Sequence, residues 1–177
     1  MKILTLITLT AFVGTIIFLF AFGESEADTP TPLPPIGKAD HVLVEKSKNK
    51  VSLLKNKKVI AEYHAVFGFN PVGHKEKEGD GRTPEGTYTL DYRNAKSQYY
   101  KSIHISYPNE EDKKKAKKKG VSPGGLIMLH GQPNGIGHLW EETQKENWTL
   151  GCIAVNNAAI DQIWNSVDDG TVITIKP

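Results

Sequence analysis

Two residues of this chain carry side chains that could act together as a nucleophile and a base. Cys152 is the single cysteine of the 177-residue sequence, and Gly151 directly precedes it. A glycine at this position lets the backbone turn sharply, so that N–H groups near the thiol can face a developing oxyanion. The thiol needs a base or a positive neighbour to become a thiolate near neutral pH. From residue type alone, the alternative is a buried, unreactive cysteine.

His130 is the best candidate for the base among the six histidines. It follows the apolar run Leu126–Leu129, whose pattern is typical of a strand buried on both faces, and it precedes a glycine-rich segment. A histidine at the end of such a strand is held firmly in place. The sequence has no HExxH motif and no paired Cys/His spacing. We therefore predict no metal site and no cofactor.

The amino-terminal part of the chain predicts export. Met1 and Lys2 give a positive start, and residues 3–22 form an unbroken stretch without a charged residue. Residues 1–27 are either a cleaved signal peptide or an inner-membrane anchor, and both would place the remainder in the periplasm. Residues 28–37 contain four prolines and are typical of an extended linker, which we expect not to pack against the domain. The folded domain is expected over residues 38–177, and the net charge of +2 gives no reason to expect nucleic acid as a partner.

Short runs of alternating apolar residues predict a strand-rich domain. Strands are expected at 41–45, 51–54, 59–67, 87–92, 102–106, 126–129 and 171–175, the first three forming a meander. A helix is expected at 110–119, where acidic residues come first and lysines last, and another from about 158 to 167, capped by Asn156 or Asn157. The fold class is therefore mainly β with two or three short helices, arranged as a sandwich or an open barrel.

Several segments together resemble the L,D-transpeptidases with the YkuD-type catalytic domain. The shared features are a strand-borne His-Gly, a glycine-containing loop, a Thr-x-Gly-Cys-Ile block and a Thr-Pro-x-Gly-x-Tyr stretch. In this sequence they are His130-Gly131, Gly135-Ile136-Gly137, Thr149-Leu150-Gly151-Cys152-Ile153 and Thr83-Pro84-Glu85-Gly86-Thr87-Tyr88. The resemblance covers residues 40–177 and is closest to a Gram-negative, periplasmic branch. Leu150 and Ala154 depart from the common pattern, which leaves the specificity for the acyl donor open.

The resemblance implies a mechanism and a set of site residues. His130, held in its tautomer by the Gly131 carbonyl, takes the thiol proton, and the Cys152 thiolate attacks a peptidoglycan stem peptide. The N–H groups of Gly151 and Cys152 stabilise the oxyanion, D-alanine leaves, and an amine resolves the thioester. The expected partners are stem peptides, with a wall-linked lipoprotein as an alternative acceptor. Substrate-binding residues are expected to be Arg82, Trp148, Thr149 and Tyr107.

Alternatives remain open at this point. Water instead of an amine would make the same site a hydrolase, and a catalytically silent wall-binding module is a third hypothesis. The lysine-rich stretch 113–119 could bind an anionic polymer, although a solvated helix end is favoured. The segment 78–81 could be a calcium turn, although a loop beside the substrate groove is favoured.

Overall fold

The structure, a computed structural model, describes residues 30–177. Most of the regular elements in this part of the chain are strands. The strands are β1 (His41–Glu45), β2 (Lys50–Lys55), β3 (Lys58–His64), β4 (Gly86–Ser97), β5 (Tyr100–Ile105), β6 (Met128–His130), β7 (Ile153–Ala154) and β8 (Thr171–Lys176). The α-helices are α1 (Glu110–Lys119), α2 (Trp140–Thr143) and α3 (Asn157–Ser166), with short 3-10 helices at Lys46–Lys48 and Gly137–Leu139. The predicted fold class, mainly β with two or three short helices, is confirmed.

All eight described strands belong to one mixed sheet, in the order β3-β2-β1-β8-β4-β5-β6-β7. β1, β2 and β3 form the antiparallel meander that the sequence predicts. β8, the last strand in the chain, pairs parallel to β1 and antiparallel to β4. It therefore joins the first three strands to the four that carry the candidate site.

The sheet curls until its two ends meet. Beyond β3, Val66 exchanges two backbone hydrogen bonds of 2.9 Å with Ala154 of β7. Thr149 donates to the Phe67 carbonyl at 3.0 Å, and Phe69 donates to the Thr149 carbonyl at 2.9 Å. These contacts give the open-barrel form of the fold around a core of fully buried apolar side chains, including Leu53, Phe67, Leu90, Ile103, Leu129, Ile153 and Ile173.

Helices α1 and α3 form because their ends carry strong local signals. Asn109 caps α1 by accepting hydrogen bonds from the N–H groups of Glu111 and Asp112, and the Asp112 carboxylate accepts one from the Asn109 N–H. Asn156 caps α3 by accepting a hydrogen bond of 2.7 Å from the Ala159 N–H. The α1 bounds agree with the prediction, and those of α3 differ by one residue. Because α3 starts three residues after β7, it fixes the direction in which the chain leaves Cys152.

Two expectations need correction. The apolar run from Leu126 does not form one buried strand, because β6 begins at Met128 and Leu126 is 74% exposed with a left-handed φ of 55°. The glycines at 124 and 125 end a turn there, so the Leu126 side chain points to the surface. The proline-rich linker is also not free of packing: Ile36 packs against the core, and the Gln162 amide donates to the Pro34 carbonyl.

The predicted signal peptide or anchor, residues 1–27, and residues 28–29 of the linker lie outside the described residues. Within residues 30–177, no helix is long and apolar enough to cross a membrane.

Candidate active site

A tight turn from Thr149 to Cys152 presents the thiol. Gly151 adopts a φ of 135°, and a Cβ there would lie 2.6 Å from the Arg82 carbonyl oxygen, so only glycine fits. The buried Thr149 hydroxyl accepts a hydrogen bond from the Gly151 N–H at 3.1 Å and donates one to the Cys152 carbonyl at 2.8 Å. One side chain therefore holds both peptide groups that flank the nucleophile.

The sulfur of Cys152 rests between two backbone groups of the segment that leads into β6. The Met128 N–H donates to Sγ at 3.4 Å, and the thiol donates to the Leu126 carbonyl at 3.7 Å. Burial raises the pKa of the Cys152 thiol, while the Met128 N–H and the positive charge of Lys75 oppose that rise. The resting group is therefore a thiol that accepts a hydrogen bond at a position suited to a thiolate.

The His130 imidazole, at the end of β6, is 2% exposed. Its Nδ1 lies 2.7 Å from the Gly131 carbonyl oxygen, and because a carbonyl can only accept, Nδ1 carries the proton. Nε2, which has no hydrogen-bond partner within the described part of the chain, then keeps its lone pair. Burial lowers the pKa of His130 to about 4, against the opposing effect of the Gly131 carbonyl. The ring is therefore a neutral base at physiological pH.

Two aromatic side chains enclose that imidazole. The Tyr99 ring lies 4.5 Å from the His130 ring between centroids, and the Trp148 ring lies 5.9 Å away, edge-on. Trp148 was expected near the site from its position four residues before the cysteine. Tyr99 was not, since it lies at the tip of the β4–β5 hairpin and nothing near it in sequence points to the site.

Cys152 and His130 both line one cleft of about 370 Å³. Its other lining residues are Tyr99, Gly125, Leu126, Ile127, Trp148, Thr149 and Leu150. The structure thus brings together Cys152, His130, Trp148 and Thr149 from the set expected from sequence, with the carbonyl of Gly131 behind the imidazole. Leu126 and Leu150 are 74% and 75% exposed and give the cleft an apolar rim.

Two of the expected substrate-binding residues lie elsewhere. Tyr107 is 2% exposed and belongs to the core, where its hydroxyl donates to the Pro123 carbonyl at 3.0 Å. The structure therefore does not place it in the cleft; its phenol is needed to hold the turn that precedes Leu126. The Arg82 carbonyl touches the Gly151 turn, but its side chain lines a neighbouring hollow.

The two expected oxyanion donors differ in what they already bind. The Gly151 N–H is engaged by the Thr149 hydroxyl, so it is not free to face an oxyanion in this conformation. The Cys152 N–H has no acceptor within residues 30–177. Of the pair, Cys152 is the available donor.

The comparison with known protein families agrees with this geometry. The model of the family described as "YkuD: L,D-transpeptidase catalytic domain" matches residues 39–175, which include β1 to β7, all but the last residue of β8, and the whole cleft. The chain belongs to this family. The resemblance expected from the sequence motifs is therefore confirmed.

Three individual relatives of this L,D-transpeptidase domain have sequence identities of 26–30% to the chain. YafK of Escherichia coli strain K12 is 30% identical over 103 residues, which are 57% of this chain and 34% of YafK. The helical cell shape determining protein Pgp2 from Campylobacter jejuni is 27% identical, with a TM-score of 0.58 over 77% of this chain and 48% of Pgp2. Bd1075 of Bdellovibrio bacteriovorus is 26% identical, with a TM-score of 0.54 over 78% of this chain and 48% of Bd1075. The chain thus spans about a third to a half of the length of these relatives.

One loop of the L,D-transpeptidase domain is organised by Asp80, from the segment 78–81, and by Lys75, which the sequence analysis did not single out. The Asp80 carboxylate accepts hydrogen bonds from the N–H groups of Glu76, Lys77 and Arg82, and from the buried Lys75 ammonium at 2.9 Å. These donors lower the pKa of Asp80 to about 2, although burial opposes the shift. Asp80 is therefore the organising centre of this loop, although none of residues 78–81 lines the cleft of Cys152 and His130. Lys75 is the positive charge that acts on the Cys152 thiol.

Proposed function

We propose that the chain is a cysteine-dependent L,D-transpeptidase that transfers an acyl group from a peptidoglycan stem peptide to an amine. The observation that carries the proposal is the shared cleft of Cys152 and His130, with the imidazole in the tautomer that leaves Nε2 free to accept a proton. The family membership gives the substrate class, since the matched domain is an L,D-transpeptidase catalytic domain. The proposed location is the periplasm, after export directed by residues 1–27.

The reaction begins from a neutral pair. Nε2 of His130 takes the thiol proton as Sγ of Cys152 attacks the carbonyl carbon between the L-centre of a diamino acid and D-alanine. The carbonyl electrons move to an oxyanion that accepts a hydrogen bond from the Cys152 N–H, a contribution of roughly 3 kcal/mol for one such donor. The carbon–nitrogen bond then breaks, and D-alanine leaves with the proton from the imidazolium. The acyl group remains as a thioester on Cys152.

The second half of the reaction reverses these roles. An amine of another stem peptide, or of a lipoprotein lysine, loses a proton to His130 and attacks the thioester. The carbon–sulfur bond breaks, a new amide forms, and the proton returns to the thiol.

The first prediction concerns the nucleophile and the base. The full chain, incubated with tetrapeptide muropeptides, should form a cysteine-bound acyl adduct and cross-linked or exchanged products detectable by mass spectrometry. Cys152→Ala should abolish both, and His130→Gln should slow adduct formation by about 10²-fold or more. His138→Gln is the matched control, because His138 is exposed and does not line the cleft.

Each outcome decides between the hypotheses. Cysteine-dependent release of D-alanine with no amine product would make the site a hydrolase. An adduct in neither the wild-type chain nor its variants would refute the acyltransferase and favour a wall-binding module.

A further inference from the structure

Helix α1 carries a concentration of positive charge that the proposed reaction does not use. It contains six lysines and three acidic residues among its ten residues. Asp112 and Ala116 are its buried residues and attach it to the domain, and the Asp112 carboxylate accepts a hydrogen bond of 3.0 Å from the Tyr88 hydroxyl. Because these two residues are four positions apart, they mark one inner face of the helix, and the lysines lie around the remainder.

The six lysines fall into two groups by what they bind. Three of them form ion pairs of 2.7–2.8 Å with carboxylates, namely Lys113 with Glu110, Lys115 with Glu111 and Lys119 with Glu76. The other three, Lys114, Lys117 and Lys118, are exposed and form no ion pair within residues 30–177. Being three and four positions apart, they are neighbours on the helix surface, and at about 100° per residue they point away from the buried face. We call this set the lysine face.

Neither the helix dipole nor pairing within the described part of the chain accounts for the lysine face. Like charges at these spacings repel one another and destabilise a helix. Lysines in the last turn, such as Lys117 and Lys118, interact favourably with the dipole, but Lys114 lies before that turn. An anionic partner would remove the repulsion, and three adjacent ammonium groups match a partner that carries several negative charges.

The lysine face lies on the approach to the cleft. Gly120 caps the end of α1, and Gly125, five residues further on, lines the cleft of Cys152 and His130. Five residues of extended chain span at most about 18 Å. The connection is held down by the Tyr107 hydroxyl, which donates to the Pro123 carbonyl. A polymer in contact with the lysine face therefore has its neighbouring repeats within reach of the thiol.

The position of the linker favours the wall over the membrane as the partner. Pro32 and Leu33 line a groove with Lys101 of β5, near the tip of the β4–β5 hairpin. α1 is attached at Tyr88, near the opposite end of β4. The strand between Tyr88 and Ser97 has a length of about 30 Å. If residues 1–27 hold the chain at the membrane, the lysine face lies at the other end of the hairpin from the point where the linker reaches the domain.

We propose that the lysine face docks the chain on peptidoglycan by binding the free carboxylates that the stem peptides display along the polymer. The proposal rests on the proposed function for the identity of the polymer, and it adds a contact surface outside the cleft. The three ammonium groups select no particular carboxylate, because they attract the polymer as a whole. Binding at two places raises the local concentration of stem peptides at Cys152.

The test is co-sedimentation of the full chain with purified sacculi, in the Cys152→Ala background so that binding is measured without reaction. Replacing the lysine face by Lys114→Gln, Lys117→Gln and Lys118→Gln should weaken binding about tenfold, which is the effect of losing three surface ion pairs. The corresponding arginine variant, which keeps the charges, should bind as tightly as the unmodified face. Raising the ionic strength from about 0.1 M to about 1 M shortens the Debye length from about 10 Å to about 3 Å and should remove the difference.

A matched control removes the same number of charges elsewhere. Lys57, Lys58 and Lys96 are exposed, and replacing all three by glutamine should leave binding to sacculi unchanged. The proposal is wrong if this control loses as much affinity as the glutamine variant of the lysine face, or if that variant binds like the wild-type face. It is also wrong if sacculi whose carboxylates have been amidated still show lysine-dependent binding. Lysine-dependent binding to phosphatidylglycerol vesicles but not to sacculi would overturn it in favour of a lipid surface.

Acylation of the Cys152-intact wild-type chain by a soluble tetrapeptide muropeptide tests the catalytic function separately. If this chain is not acylated while lysine-dependent binding to sacculi persists, the acyltransferase function falls and the docking surface stands. If it is acylated while the glutamine variant of the lysine face binds sacculi as the wild type does, the function stands and the docking surface falls.

Discussion

At the scale of single residues, burial sets the state of the candidate catalytic pair. It lowers the pKa of His130 to about 4 and raises that of Cys152, so both groups are neutral at physiological pH. A preformed thiolate–imidazolium pair would require a raised pKa of His130 and a lowered pKa of Cys152. The proposed reaction therefore begins by general-base catalysis, in which the proton moves as the carbon–sulfur bond forms.

The pH dependence of the reaction should reveal this state. His130 acts as a base only when neutral, so the rate falls as the pH drops through its pKa. The acid limb of kcat/KM should then lie near pH 4, rather than near the 6.5 of an unperturbed histidine. Tyr99→Ala should move the limb towards 6.5, because it exposes the imidazole that Tyr99 covers. Tyr92→Ala, which uncovers His104 instead, should not; a wild-type limb near 6.5 would contradict the argument.

At the scale of elements, the site depends on turns more than on strands. The sulfur is placed by the Thr149–Cys152 turn, by Leu126 just before β6 and by Met128 at the start of that strand, and β6 carries His130 at its end. The Thr149 hydroxyl fixes the turn through the Gly151 N–H and the Cys152 carbonyl, and the Thr83 hydroxyl makes a longer hydrogen bond of 3.5 Å to the same carbonyl. This gives Thr149 a positioning role rather than contact with substrate as its main contribution.

Thr149→Val should separate that role from simple packing. Valine keeps the shape but leaves the buried Gly151 N–H without its acceptor, at a cost of about 1–3 kcal/mol in the free energy of unfolding. It also frees the turn to move, so kcat should fall at least tenfold while KM changes little. Thr149→Ser keeps the hydroxyl and should retain most of kcat. The measurements are steady-state kinetics and chemical denaturation; equal kinetics in the two variants would argue against the role.

The features that could be predicted from the sequence are those with a signal in neighbouring residues. The ends of α1 follow from Asn109, the acidic first turn and the lysines, all signals within a few residues, and the His-Gly and Gly-Cys motifs locate His130 and Cys152 in the same way. Tyr99 and Lys75 have no such signal, because they reach the site through the folding of distant segments. Leu126 was wrongly predicted to lie in a buried strand, because an apolar run is typical of such a strand even where its first residue is exposed. Tyr107 was expected to bind substrate but lies in the core, because aromatic side chains occur both in binding grooves and in buried cores.

At the scale of the whole molecule, the site exists because the sheet closes on itself. The segment after β3 is joined to the segment around Cys152 by the hydrogen bonds of Val66 and Ala154 and those of Phe67 and Phe69 with Thr149. Residues far apart in sequence thus hold the nucleophile. The loop organised by Asp80 packs on the same seam, since Gly68 donates to the Thr83 hydroxyl at 3.0 Å. A change that disrupts the closure of the sheet should therefore also disturb the Thr149–Cys152 turn and the loop organised by Asp80.

Gly68→Ala tests that coupling. A Cβ at Gly68 would lie 2.1 Å from the Gly81 carbonyl oxygen and 2.8 Å from its carbon, so backbone on one side of the seam must move. We expect a loss of roughly 1–3 kcal/mol in the free energy of unfolding. Because Phe67 and Phe69, on either side of Gly68, are hydrogen-bonded to Thr149, the rate of Cys152 acylation should also fall at temperatures where the variant is fully folded. Gly37→Ala, which meets no atom within 4 Å, should change neither quantity. A destabilised Gly68→Ala chain whose folded fraction keeps the wild-type acylation rate would show that the seam supports the fold without positioning the thiol.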